Sequence, residues 1–148
     1  MAEVYFYHLD QKSLSAILPD LVQRGLARGL RMAVETSATE NLQRLSDLLW
    51  SYEDTAFIPH GFGDEPNEQQ CLWLCASDEN PNNATYRFYV DGALPTRVES
   101  LTRAIIMVDS TSEEALVNAR NQWKKRKAES HAVSYWKQDV AGKWQNLA

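Results

Sequence analysis

Three short runs, Val4–Leu9, Leu30–Glu35 and Ala104–Val108, are mostly apolar and hardly alternate, with His8, Arg31 and Glu35 as their polar members. A strand with one face in water alternates apolar and polar side chains. An unbroken apolar run needs cover on both faces, which is the setting of a strand in a parallel sheet sheathed by helices. The segments between the runs supply those helices. Leu14, Ile17, Leu18, Leu21, Val22 and Leu26 recur at helical spacing after the first run, with Ser13 as a candidate N-cap and Pro19 either starting the helix or kinking it. Gly25 weakens this helix and Gly29 stops it, so the first 35 residues read as β-α-β. Leu42, Leu45, Leu48, Leu49 and Trp50 mark the clearest helix of the first half, with Thr36, Ser37 or Thr39 available to cap it.

Further along, Phe57–His60 is a brief extended segment and Gly61–Pro66 a loop by its turn residues. Cys71–Ala76 and Tyr86–Val90 are strand-like and read as a hairpin-like insertion. Ser110 with Glu113, or Thr111 with Glu114, offers a capping box for a long helix over 112–128. Ser134–Asp139 and Lys143–Gln145 close the sequence as a strand or small hairpin around Ala141 and Gly142. With 148 residues, 44% of them hydrophobic, the chain can bury one core without disulfides or metals. The expectation is a single domain over 1–148: an α/β sandwich with a largely parallel sheet and helices on both faces.

Such a fold raises the question of a nucleotide. The first strand-to-helix turn, 10–13, has no glycine to let a backbone approach a pyrophosphate, and neither a dinucleotide fingerprint nor a P-loop occurs elsewhere. No cofactor is expected. His8, His60 and His131 stand singly, and Cys71 and Cys75 are four apart in a strand, so no metal site is expected either. Gly-x-Ser-x-Gly, paired carboxylates and activated-cysteine signatures are absent from the sequence, so no catalytic residue is assigned. The apolar runs fall short of membrane-spanning length and the start of the chain lacks a secretory pattern, which predicts a cytoplasmic protein.

The feature that points to a function is late. Arg120, Lys124, Lys125, Arg126 and Lys127 hold five of the fifteen Lys and Arg residues of a chain that also carries twenty acids. One segment therefore concentrates the positive potential, which suits an acidic partner. Leu116, Ala119 and Trp123 form one stripe of this helix, and Arg120, Lys124 and Lys127 the stripe beside it. Bases at a helix C-terminus also complement the dipole, and Trp123 also reads as core. A net charge of −5 disfavours wrapping nucleic acid with the whole surface, leaving as an alternative a local single-strand contact through helix 112–128 with Trp123 stacked on a base.

The Val4–Leu9 run, the Asp47–Trp50 segment followed by Phe57–His60, and the Ala119–Lys124 helix together resemble the chi subunit of bacterial DNA polymerase III. The resemblance implies a Rossmann-like fold and a clamp-loader accessory subunit of the replicase, acting at the nucleoid and without an active site of its own. It implies pairing with the psi subunit, a grip on the acidic C-terminal tail of single-stranded DNA-binding protein, and contact with DNA mainly through that protein. Carried over by position, the tail pocket is expected to use Trp50 and Phe57 as apolar walls beside Arg120, Trp123 and Lys124. A basic position of the family one turn before Arg120 falls near Leu116, which leaves that charge to Lys125, Arg126 or Lys127. Trp123 stands where the family often has tyrosine, keeping the aromatic wall and losing a hydroxyl. Burying one ring contributes about 1.5–3 kcal/mol, and each rim cation about 0.3–1 kcal/mol. The expected affinity is of about micromolar order and salt-sensitive. For psi, Tyr135, Trp136 and Trp144 are the aromatic candidates, with covering of the sheet edge as their other use.

Overall fold

The structure is a computed structural model that describes residues 2–9, 14–51, 58, 60–63, 70–138, 141 and 143–147. In chain order its elements are β1 (Glu3–Leu9), α1 (Leu14–Ala27), β2 (Met32–Glu35), α2 (Asn41–Ser51), β3 (Gly61–Phe62), β4 (Leu72–Cys75), β5 (Tyr86–Tyr89), β6 (Arg103–Asp109), α3 (Glu113–Ala128), β7 (Ala132–Gln138) and β8 (Trp144–Asn146). The strands form one sheet in the order β3-β4-β2-β5-β6-β1-β7-β8. Its pairs are parallel except for the antiparallel β7–β8 edge. This is the Rossmann-like α/β sandwich that the unbroken apolar runs require.

Strand alternation divides the core into two layers. Tyr5, Tyr7 and Leu9 of β1 and Ile105 and Met107 of β6 join Ile17, Leu18 and Val22 of α1 and Leu42, Leu45 and Leu49 of α2. Val4 and Phe6, with Ala104, Ile106 and Val108, turn the other way and meet Leu116, Ala119 and Trp123 of α3. Helices α1 and α2 therefore cover one face of the sheet and α3 the opposite face. The sheet is buried from both sides.

Several local readings change. Helix α1 begins at Leu14 and carries Pro19 in its second turn; the expected cap, Ser13, lies outside the described residues. Gly29 ends it at φ +74°, with Leu30 N–H donating to the Gly25 carbonyl and Gly29 N–H to that of Leu26, so the stop signal is a Schellman motif. Gly25 packs closely on β2: a Cβ there would meet the end of the Met32 side chain, which would have to shift to make room. Helix α3 is capped by Ser112, whose Oγ accepts from Ala115 N–H, rather than by Ser110 or Thr111. Asp109 accounts for the shift: its carboxylate accepts from Thr111 N–H and Oγ1–H, and both bonds hold it below the usual carboxylate range. Gly61 and Phe62, expected in a loop, form a short strand on β4. The hairpin expected of Cys71–Val90 is not formed, because β4 and β5 each pair in parallel with β2 between them. The hairpin of this protein is the closing one, β7–β8; Gly142 of its turn lies outside the described residues.

Both cysteines are free, Cys71 exposed and Cys75 buried. Four residues apart in extended chain, their Cα atoms are roughly 13 Å from each other, well beyond disulfide reach. Burial pushes the Cys75 thiol up to about 11, with Arg87 opposing the shift. Iodoacetamide at pH 8 is expected to label Cys71 alone in the folded protein and both after denaturation, counted by intact mass. Rapid double labelling of the native protein would contradict the placement of Cys75.

Candidate partner-binding site

The crossover from β6 through α3 to β7 lays α3 antiparallel to the strands it covers. Of its side chains, only Ala119 and Arg126 are fully buried. A helix so lightly sunk leaves a groove along its β7 side. There Leu116, Ala119, Arg120, Trp123 and Tyr135 enclose a mainly apolar pocket of about 300 Å³. Trp123 is half-buried, its ring 5.7 Å from that of Phe6 and edge-on to Tyr135 at 6.5 Å. Tyr135 stacks on Phe6, and its hydroxyl lies 2.6 Å from His8 Nδ1. The floor of the pocket is thus built by the sheet and one wall by the helix.

The five bases of the late helix separate into different jobs. Arg120 and Lys124 are exposed on the turns beside Trp123. Lys127 places Nζ 5.8 Å from the centre of the Trp123 ring, a cation–π contact one turn on. Arg126 has no exposed surface: it donates to the Pro95 carbonyl at 2.6 Å and to Glu129 Oε1 and Gln122 Oε1. Arg126 is therefore a tether for the 91–101 segment and is not the replacement cation expected near Leu116. Lys125 is exposed.

Trp50 is not brought to this groove. It sits at the end of α2, in the layer on the other face of the sheet, and α2 packs on β4, five strand positions from β7. A single pocket combining Trp50 with Arg120, Trp123 and Lys124 does not form. Phe57 lies outside the described residues. Trp50 remains 47% exposed although its ring packs at 4.7 Å on that of His60. His60 is buried and fixed: Nδ1 donates to the Ile58 carbonyl at 2.8 Å, so in the neutral ring Nε2 accepts from Ser46 Oγ at 2.8 Å. Trp50 is an exposed aromatic on a rigid support, and sequence spacing alone could not tell which face would carry it.

Two other places invite ligands. A crevice of about 790 Å³ opens between the carboxyl ends of β5, β6 and β1 and the start of α3. It lies where α1 and α3 leave the sheet for opposite faces, the position at which α/β folds hold nucleotides. Asp91, Asp109 and Glu114 line it, with no basic side chain among the described lining residues, and that charge repels phosphate. Glu99, Glu129 and His131 bring three ligand-type atoms together. His131 Nδ1, however, accepts from Ala2 N–H at 3.1 Å, which puts the ring proton on Nε2, facing Glu129 Oε1 at 3.5 Å. A ring with both nitrogens so committed has no lone pair for a metal.

The sequence matches the family described as DNA polymerase III chi subunit, HolC, over residues 1–134. The chain belongs to the chi family. A probable DNA polymerase III subunit chi from Rickettsia prowazekii (strain Madrid E) is 24% identical over 86 residues, which span 57% of this chain and 52% of that protein. The chain thus spans about half the length of the curated relative it matches. The family match covers the whole two-layer core, α3 and β7 as far as Ser134, so the groove beside Trp123 is formed almost entirely within it. No described helix is long and apolar enough to cross a membrane.

Proposed function

We propose that this chi-family chain is a non-catalytic adaptor of the bacterial replicase that holds the acidic C-terminal tail of single-stranded DNA-binding protein in the α3–β7 groove and pairs with the psi subunit elsewhere. The observation that carries the reading is the apolar pocket of Leu116, Trp123 and Tyr135 with Arg120 in its lining and Lys124 exposed one turn further along α3. A run of aspartates ending in an aromatic residue needs such a pocket for its ring and such cations for its carboxylates. Direct single-strand binding is less well served, because a chain of net charge −5 offers phosphates only the few exposed bases of α3.

An adaptor that holds two proteins at once needs two separated surfaces. Trp50, on the opposite layer, is the best second anchor: large, exposed and held by His60. Trp136 and Trp144 are engaged with Tyr5 and Tyr7 at the β7–β8 edge, so they serve as edge cover. Titration with a fluorescent peptide of consecutive aspartates ending in Phe is expected to saturate, with Arg120→Ala and Lys124→Ala weakening it by about two- to fivefold each. Trp50→Ala is expected to abolish co-purification with psi and leave peptide affinity intact. Tight oligonucleotide binding without peptide binding would sink the adaptor reading.

A further inference from the structure

Helix α3 has a leucine, Leu116, one turn before Arg120, so the upper part of the groove takes no cation from the helix. The facing strand supplies one. In the β1–β7 register Phe6 pairs with Tyr135 and His8 with Lys137. Side chains two apart on a strand share a face. Since Phe6 and Tyr135 stack in the α3 layer, His8 and Lys137 stand on that face as well. Running antiparallel to β7, α3 rises roughly 10 Å from Trp123 back to Leu116, while β7 climbs roughly 7 Å from Tyr135 to Lys137. Lys137 thus stands on the facing wall between the levels of Arg120 and Leu116.

Resting on the acidic-tail reading, we infer that β7 forms a second ligand-contacting wall of the same groove, in which the Tyr135 hydroxyl and Lys137 bind carboxylates of the acidic peptide opposite Arg120. The hydroxyl and His8 Nδ1, 2.6 Å apart, share one hydrogen. A carboxylate at Tyr135 selects the arrangement in which Nδ1–H donates to the phenol oxygen and the phenol O–H donates to the ligand. His8 is then a positioning residue acting through Tyr135. The hydroxyl that tryptophan at 123 cannot offer comes from the strand instead.

The test is titration of the full chain with the same aspartate-rich, Phe-terminated peptide at several salt concentrations. Lys137→Gln is expected to weaken binding by about two- to fivefold and to flatten its salt dependence, and Lys137→Arg to restore both. Tyr135→Phe, which keeps the ring, is expected to weaken binding by about threefold or more. His8→Leu is expected to match it, and the double variant to bind no worse than either single one, a non-additivity that a merely structural role would not produce. If Lys137→Gln and Tyr135→Phe bind like the native protein while Arg120→Ala is weakened, the inference falls and the adaptor reading stands. If the native protein does not bind the peptide, both fall.

Discussion

Arg87→Met is expected to lower the unfolding free energy by about 3–5 kcal/mol, the usual cost of stranding a buried charge. Arg87 and Glu35 are 3% and 9% exposed, and Arg87 donates Nε and Nη2 to Glu35 Oε1 at 3.1 and 2.7 Å. The same guanidinium holds the Ser77 and Glu79 carbonyls at 2.6 and 2.8 Å, which ties the β4–β5 connection to the sheet. Burial already pushes the Glu35 carboxyl up, with Arg87 opposing. Without Arg87 that pressure is unopposed and the folded-state value climbs further. A carboxyl raised in the folded state contributes stability that is full below its unfolded value, about 4.5 here, and is lost as pH rises through the folded value. The deficit of Arg87→Met is therefore largest near pH 7 and shrinks as pH falls toward and below about 4.5, where Glu35 becomes protonated in the unfolded chain as well. Urea unfolding at the two pH values measures this, and Arg87→Met combined with Glu35→Gln should recover part of the loss at pH 7. A loss below about 1 kcal/mol at pH 7 would show the pair to be dispensable.

The backbone plan is legible in the sequence because it follows from local rules. Unbroken apolar runs predict covered strands, and Gly29 predicts the end of α1, each within a few residues of the observed positions. What involves partners far apart in the chain is not legible. Trp50 and Trp123 both read as aromatic walls of one pocket, yet their layers are decided by the direction of two crossovers, β2-α2 stepping toward the β3 edge of the sheet and β6-α3 toward the β8 edge. The β4–β5 hairpin fails for a related reason: two apolar runs joined by a turn-rich loop look the same whether they pair directly or admit β2 between them. Of the intended site, Arg120, Trp123 and Lys124 do sit together on α3 because helical spacing is local. Tyr135, which the sequence offers as an aromatic candidate for psi, enters their pocket from β7 instead, because the pairing that brings β7 beside α3 is not local.

Arg126→Leu is the second change expected to act strongly, and it separates fold from recognition within one basic run. The Arg126 guanidinium is the hydrogen-bond donor to the buried Pro95 carbonyl at 2.6 Å and a longer one to Thr96 at 3.4 Å, and its ion pair with Glu129 closes the C-terminal turn of α3. Leucine fills much of the volume and supplies none of these donors, so the loss should be about 2–3 kcal/mol, the cost of leaving such carbonyls and a charge partner unmet. The net charge of the run falls by the same unit as in Arg120→Ala or Lys124→Ala. If the run acted on an acidic peptide through total charge alone, all three variants would weaken binding alike. Geometry predicts otherwise: among folded molecules, Arg126→Leu should keep peptide affinity within about twofold, because a cation turned inward toward Pro95 and Glu129 spends its field on them. Equal weakening by all three, at matched folded fraction, would mean that the groove attracts its ligand by long-range potential and that Arg120 and Lys124 hold no particular carboxylate.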